Sequence, residues 1–135
     1  MKQKNTCIIL IMLAAFGFMV ALYLTLVGPK FQYLGNICSD VCGDESLTIL
    51  GVHVATYGIF YYLSLIIFSA SLFSSAKYIV YPFLISAMGV LFSLYFLYHQ
   101  IFIINGYCIF CLISLTVTVT YFGMILWLYK RTAAE

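Results

Sequence analysis

Residues 78–111, YIVYPFLISAMGVLFSLYFLYHQIFIINGYCIFC, decide how this chain folds. From Tyr78 to Ile104 there is no Asp, Glu, Lys or Arg, and the run is long enough, at 1.5 Å per helical residue, to cross about 30 Å of hydrocarbon. Asn105-Gly106 interrupts it and Cys108 reopens it. The pattern predicts a membrane-spanning helix, a tight turn, and a second helix that opens on Cys108-Ile-Phe-Cys111.

The rest of the chain repeats the theme. It is 65% hydrophobic and 7% charged, with a mean hydropathy of +1.12, far from the usage of soluble globular domains. Apolar runs fall at approximately 7–27, 52–73, 78–104 and 108–129. Lipid hydrogen-bonds no backbone, so each run must be an α-helix. The expected fold is an all-α membrane protein: a four-transmembrane-helix bundle in a single integral membrane domain over residues 1–135. No stretch remains for a soluble domain, and a net charge of +2 without a basic cluster points to lipid rather than nucleic acid as the surroundings. Lys2 and Lys4 precede the first run as they would in a secretory leader. The run is long for that, and no Ala-x-Ala-like site precedes Gly28-Pro29-Lys30, so a retained helix is expected.

The few cations orient the bundle. Lys2, Lys4, Lys77, Lys130 and Arg131 flank the spans on one side, which is therefore expected to be cytoplasmic. Both termini then lie inside. Cys38, Cys42, Cys108 and Cys111 all fall on the outer, oxidising side, and Cys7 falls near the cytoplasmic end of span one.

Four same-sided cysteines in two close pairs can exchange disulfides, because a thiolate can reach the sulfur of the other pair. Cys108 and Cys111 have a further property. Unsatisfied N–H groups and the dipole at a helix start favour thiolate. One turn separates the two sulfurs, and Cys111 lies deeper, where a lipid-soluble acceptor can meet it. Two other readings stand beside this one. Cys38–Cys42 could be a structural disulfide, and four thiolates could hold a soft metal ion in a membrane carrier or sensor.

Longer stretches carry a family resemblance. Tyr95-Phe-Leu-Tyr-His-Gln-Ile-Phe-Ile-Ile-Asn-Gly-Tyr-Cys108-Ile-Phe-Cys111 resembles the end of span three and the start of span four in the vitamin K epoxide reductase family. Leu22-Tyr-Leu-Thr25 is similar to its first-span signature, and Leu50-Gly51-Val-His-Val-Ala-Thr-Tyr-Gly58 to its entry into span two. The resemblance implies a four-helix bundle around a quinone of the ubiquinone or menaquinone type, in the cytoplasmic membrane of a bacterium. It implies that Cys111 faces the quinone, that Cys108 is attacked by a shuttle thiol, and that Cys38 and Cys42 form the shuttle. The soluble partner would be a thioredoxin-like thiol oxidase outside the membrane.

The match departs from the family in several places. The shuttle cysteines are usually spaced more widely than Cys38-x-x-x-Cys42. A gapped register makes both shuttle residues, with Cys42 attacking Cys108, whereas a gapless one places Cys38 at the second shuttle position. Val54 stands where some animal members carry asparagine, His53 where many bacterial members carry proline, and Leu115 where a tyrosine follows the Cys-x-x-Cys. A simple quinone is therefore better supported than a vitamin K epoxide.

The remaining candidates are less specific. Ser46 corresponds to a hydroxyl residue after the shuttle loop, although a serine there also suits a turn. His99, with Gln100, is a quinone-binding candidate, since polar groups in membrane helices are costly and commonly functional; solvation at the interface is the competing reading. Phe60-Tyr61-Tyr62 and Tyr95-Phe96 with Tyr98 either wall a quinone pocket or form interfacial belts. Gly17, Gly58, Gly89 and Gly123 are expected to let helices approach closely, and Pro82 to kink span three. Asp44-Glu-Ser-Leu-Thr-Ile-Leu suggests a short surface helix over the site.

Overall fold

Each of the four apolar runs forms a helix over most of its length, and this computed structural model describes residues 3–27, 48–49, 52–105 and 109–134. Helix α1 runs over Gln3–Val27, α2 over Val54–Ser71, α3 over Val80–His99 and α4 over Ile109–Ala134. Among the described residues these supply four helices long and apolar enough to cross a membrane. Their exposed faces carry large apolar side chains such as Met12, Phe60, Leu91 and Trp127, as a lipid-facing surface requires.

The helices form a ring in sequence order, α1 against α2, α2 against α3, α3 against α4, and α4 back against α1. The α2–α3 seam is the most sparsely packed of the four. Between α3 and α4 the contact is largely aromatic, with Phe83 stacked on Phe122 and Tyr129 at ring-centre distances of 5.7 and 5.3 Å. Leu10, Ala14, Leu65, Tyr121 and Ile125 are buried in the core.

Hydroxyl bonds tie α2 to α4 across the diagonal. Tyr62 Oη lies 2.6 Å from Ser114 Oγ, and Ser69 Oγ lies 2.6 Å from Tyr121 Oη. Both pairs have the same sequence offset of 52, as two parallel helices require, and the tyrosine changes sides between them. Interhelical hydrogen bonds of this kind and close contact at small residues hold membrane helices together where no hydrophobic force between them exists. Gly17 supplies such a contact: a Cβ there would run into the ring of Tyr62. Gly89 of α3 likewise receives the hydroxyl end of Tyr61. Gly123 behaves differently from the expectation, since nothing approaches it within 4 Å.

Three boundaries differ from the sequence reading. Thr48–Ile49 and Val52–His53 form two short antiparallel strands, β1 and β2, pairing Thr48 with His53 and Ile49 with Val52. Helix α2 therefore starts at Val54 rather than 52, and the described end of the expected surface helix is extended; Thr48, Ile49 and Val52 are β-branched and prefer that geometry. Pro82 produces no kink within α3. It is the third residue of the helix, after a 3₁₀ turn at Ala76–Ile79, where a missing N–H costs nothing. At its other end α3 widens into a π-helical turn, Gln100–Ile104, which closes on Asn105 in the left-handed conformation at φ 54°. Asparagine tolerates that region better than most residues.

Candidate active site

Helix α4 begins at Ile109, so Cys111 is its third residue and lies in the first turn, the part of a helix whose orphan N–H groups favour an anion. The side chain is half-buried and lines a cavity of about 600 Å³ enclosed by all four helices. That volume is within the range of about 300–1,000 Å³ typical of small-molecule sites.

The wall is mostly apolar. Leu24 of α1, Val54 and Ala55 of α2, Phe92 and Leu97 of α3, and Leu115 of α4 contribute to it. Into this lining project a few polar groups. Gln100, at the start of the π turn, is only 3% exposed. Ser114 and Thr118 follow Cys111 by three and seven residues, which places them on its face of α4. Tyr61 and Tyr62 enter from α2. Tyr61 Oη is buried and has no hydrogen-bond partner among the described residues, which in an apolar interior costs about 1–3 kcal/mol unless a ligand meets it. A flat molecule with an apolar body and carbonyl oxygens suits this wall, and a quinone is such a molecule.

Tyr57, Met88 and Phe92 line the cavity and are also exposed on the bundle surface. They come from α2 and α3, so the cavity borders the seam between those helices.

The expected site residues fall into three groups. Cys111 is in the cavity wall, whereas Cys38, Cys42, Ser46 and Cys108 lie outside the described residues. His99 is not among the described lining residues: its ring packs on Tyr95, 6.1 Å between centres, and its buried Nδ1 has no partner among the described residues. Its neighbour Gln100 takes the cavity position instead. Of the aromatic clusters, Tyr61, Tyr62 and Phe96 reach the cavity, and Phe60, Tyr95 and Tyr98 face outward. Ser114 and Thr118 went unread in the sequence, although their spacing from Cys111 contained the signal.

Cys7 is buried in the core cluster that also contains Tyr121. It sits about 30 Å along α1 from Val27, at the bundle end remote from Cys111.

No curated protein matches the chain. Residues 8–126, covering all four helices in whole or in large part, match the model of the Vitamin K epoxide reductase family. With four membrane helices around an apolar cavity and a helix-opening cysteine in its wall, the chain belongs to the vitamin K epoxide reductase family of membrane, quinone-dependent thiol oxidoreductases.

Proposed function

We propose that this enzyme reoxidises a soluble thioredoxin-like partner and passes the electrons through two cysteine pairs to a ubiquinone- or menaquinone-type acceptor in a bacterial cytoplasmic membrane. The observation that carries the reading is Cys111 at the wall of a mostly apolar cavity lined by all four helices. A quinone bound there supplies a sink for two electrons and two protons.

The chain's own residues do the rest. The partner's dithiol exchanges with the Cys38–Cys42 disulfide, becoming oxidised as the loop pair becomes a dithiol. One loop thiolate then attacks Cys108 Sγ, forming a mixed disulfide and releasing Cys111 as thiolate. The second loop thiol resolves that mixed disulfide, so Cys108 and Cys111 are left reduced and the loop disulfide is restored. Their reoxidation to a disulfide releases the two electrons. The first-turn position of Cys111 favours the thiolate on release. Each 30 mV by which the acceptor exceeds the Cys108–Cys111 couple contributes about 1.4 kcal/mol to this last step. The distribution of cations supports an orientation with both termini cytoplasmic and both pairs outside.

Purified enzyme given ubiquinone-1 and a reduced thioredoxin-fold dithiol tests the relay. Cys111→Ala is expected to abolish quinone-dependent oxidation and to leave Cys108 thiolate to attack the Cys38–Cys42 disulfide, trapping a loop–Cys108 mixed disulfide with release of one loop thiol, visible by mass spectrometry of non-reduced peptides. Undiminished turnover of that variant would overturn the assignment.

A further inference from the structure

The side chains of Val54 and Leu115 line the cavity and offer no hydrogen-bond donor, so a carbonyl oxygen held beside Cys111 must find its donor among the polar groups of the wall, of which Ser114 is the nearest to Cys111 along α4. Ser114 follows Cys111 by three residues on the same helix face. Side chains at that spacing are about 5–6 Å apart at Cβ, a separation that one quinone ring and its oxygen can bridge.

Ser114 differs from its neighbours on α4. Thr116, Thr118 and Thr120 each donate to the carbonyl four residues back, at 2.9, 2.9 and 2.8 Å. Ser114 pairs with Tyr62 instead, at 2.6 Å between oxygens, in a bond that either hydroxyl can donate. A phenol is a far stronger acid than an aliphatic alcohol, which favours the arrangement with Tyr62 as donor and Ser114 Oγ as acceptor. The serine hydroxyl proton is then directed elsewhere, and Ser114 is a wall residue of the cavity. Tyr62 also lies 3.3 Å from Thr118 Oγ1 and from the Ser114 carbonyl oxygen. Thr118 is itself anchored to that carbonyl, and the Tyr62 ring is seated against Gly17. The donor is thus held in place from three helices.

Resting on the quinone reading above, we propose that Ser114 donates a hydrogen bond to a quinone carbonyl oxygen one turn inward of Cys111, with Tyr62 as its positioning residue. A hydrogen bond from Tyr62 to Ser114 polarises the serine hydroxyl and makes it a better donor. The contact strengthens as reduction places negative charge on the carbonyl oxygen, so it favours reduction more than binding.

The test uses the full chain in detergent with ubiquinone-1 labelled with carbon-13 at its carbonyls. Infrared difference spectra are expected to show the bound carbonyl band moving to higher frequency in Ser114→Ala, part of the way in Tyr62→Phe, and back to the wild-type position in Ser114→Thr. For Ser114→Ala, kcat/KM for ubiquinone-1 is expected to fall about tenfold. Reduction of the enzyme's disulfides by dithiothreitol without quinone should keep its wild-type rate, which a merely structural defect would not allow. A carbonyl band in the same place in wild type and Ser114→Ala, with ubiquinone-1 bound to both, overturns the proposal while leaving the relay intact. A wild-type protein that neither binds ubiquinone-1 nor turns over with it overturns the functional reading and this proposal together.

Discussion

At the scale of single residues, Tyr61 Oη in the cavity wall is buried against Gly89 without a hydrogen-bond partner among the described residues. Tyr61→Phe removes that unmet donor and keeps the ring. It is expected to leave the ligand-free protein equally stable or more stable by up to about 1–3 kcal/mol, measured by thermal unfolding in detergent; a clear loss of stability would mean the hydroxyl is already satisfied. Single residues were unequally legible in the sequence. Cys111 stood out because a Cys-x-x-Cys opening an apolar run is rare and its chemistry is specific. Ser114 was legible in principle through its spacing from Cys111. Tyr62 as its partner was not, since the bond joins residues 52 apart in sequence on diagonally opposed helices. His99 and Gln100 are adjacent polar residues at one helix end, and no periodicity argument tells which of the two turns inward where an α-helix passes into a π turn.

At the scale of elements, apolar length alone located all four helices, because lipid admits no other spanning form for a single segment. The errors came where lipid ceases to dictate. Thr48–Ile49 and Val52–His53 lie at a span end, where β-branched side chains and local pairing decide the conformation. Pro82 was read as a kink because the start of α3 could not be placed to within a turn. Glycines divide in the same way: their placement inside apolar spans predicts close packing, but only the assembled bundle shows which have a neighbour. Gly17→Ala is expected to destabilise the protein by about 1–3 kcal/mol by overpacking Tyr62, and to displace that ring from Ser114. Gly123→Ala meets open space and is expected to be neutral or slightly stabilising. Parallel thermal melts of the two variants check the contrast, and equal losses would contradict the packing described.

At the scale of the whole molecule, fold class and family were readable from hydropathy and motif together, whereas the cavity was not, being formed by side chains from every helix. Sidedness rests on a handful of cations and has a direct check. In right-side-out vesicles, a membrane-impermeant maleimide is expected to modify reduced Cys42 when it is the sole cysteine. Cys7, 1% exposed, is expected to resist modification from either face until the protein is unfolded. Modification of Cys42 only in inverted vesicles would reverse the orientation.

The equal offset of the two tyrosine–serine ties has a mechanical corollary. Because both share one register, α2 and α4 cannot slide past one another by a turn without losing both at once, so these two helices behave as a locked chassis. Helix α3 is held to α4 by the rings of Phe83, Phe122 and Tyr129, and to α2 by the Phe68–Tyr81 stack and by Tyr61 seated at Gly89. The cysteine in the first turn of α4 therefore keeps one height against α2.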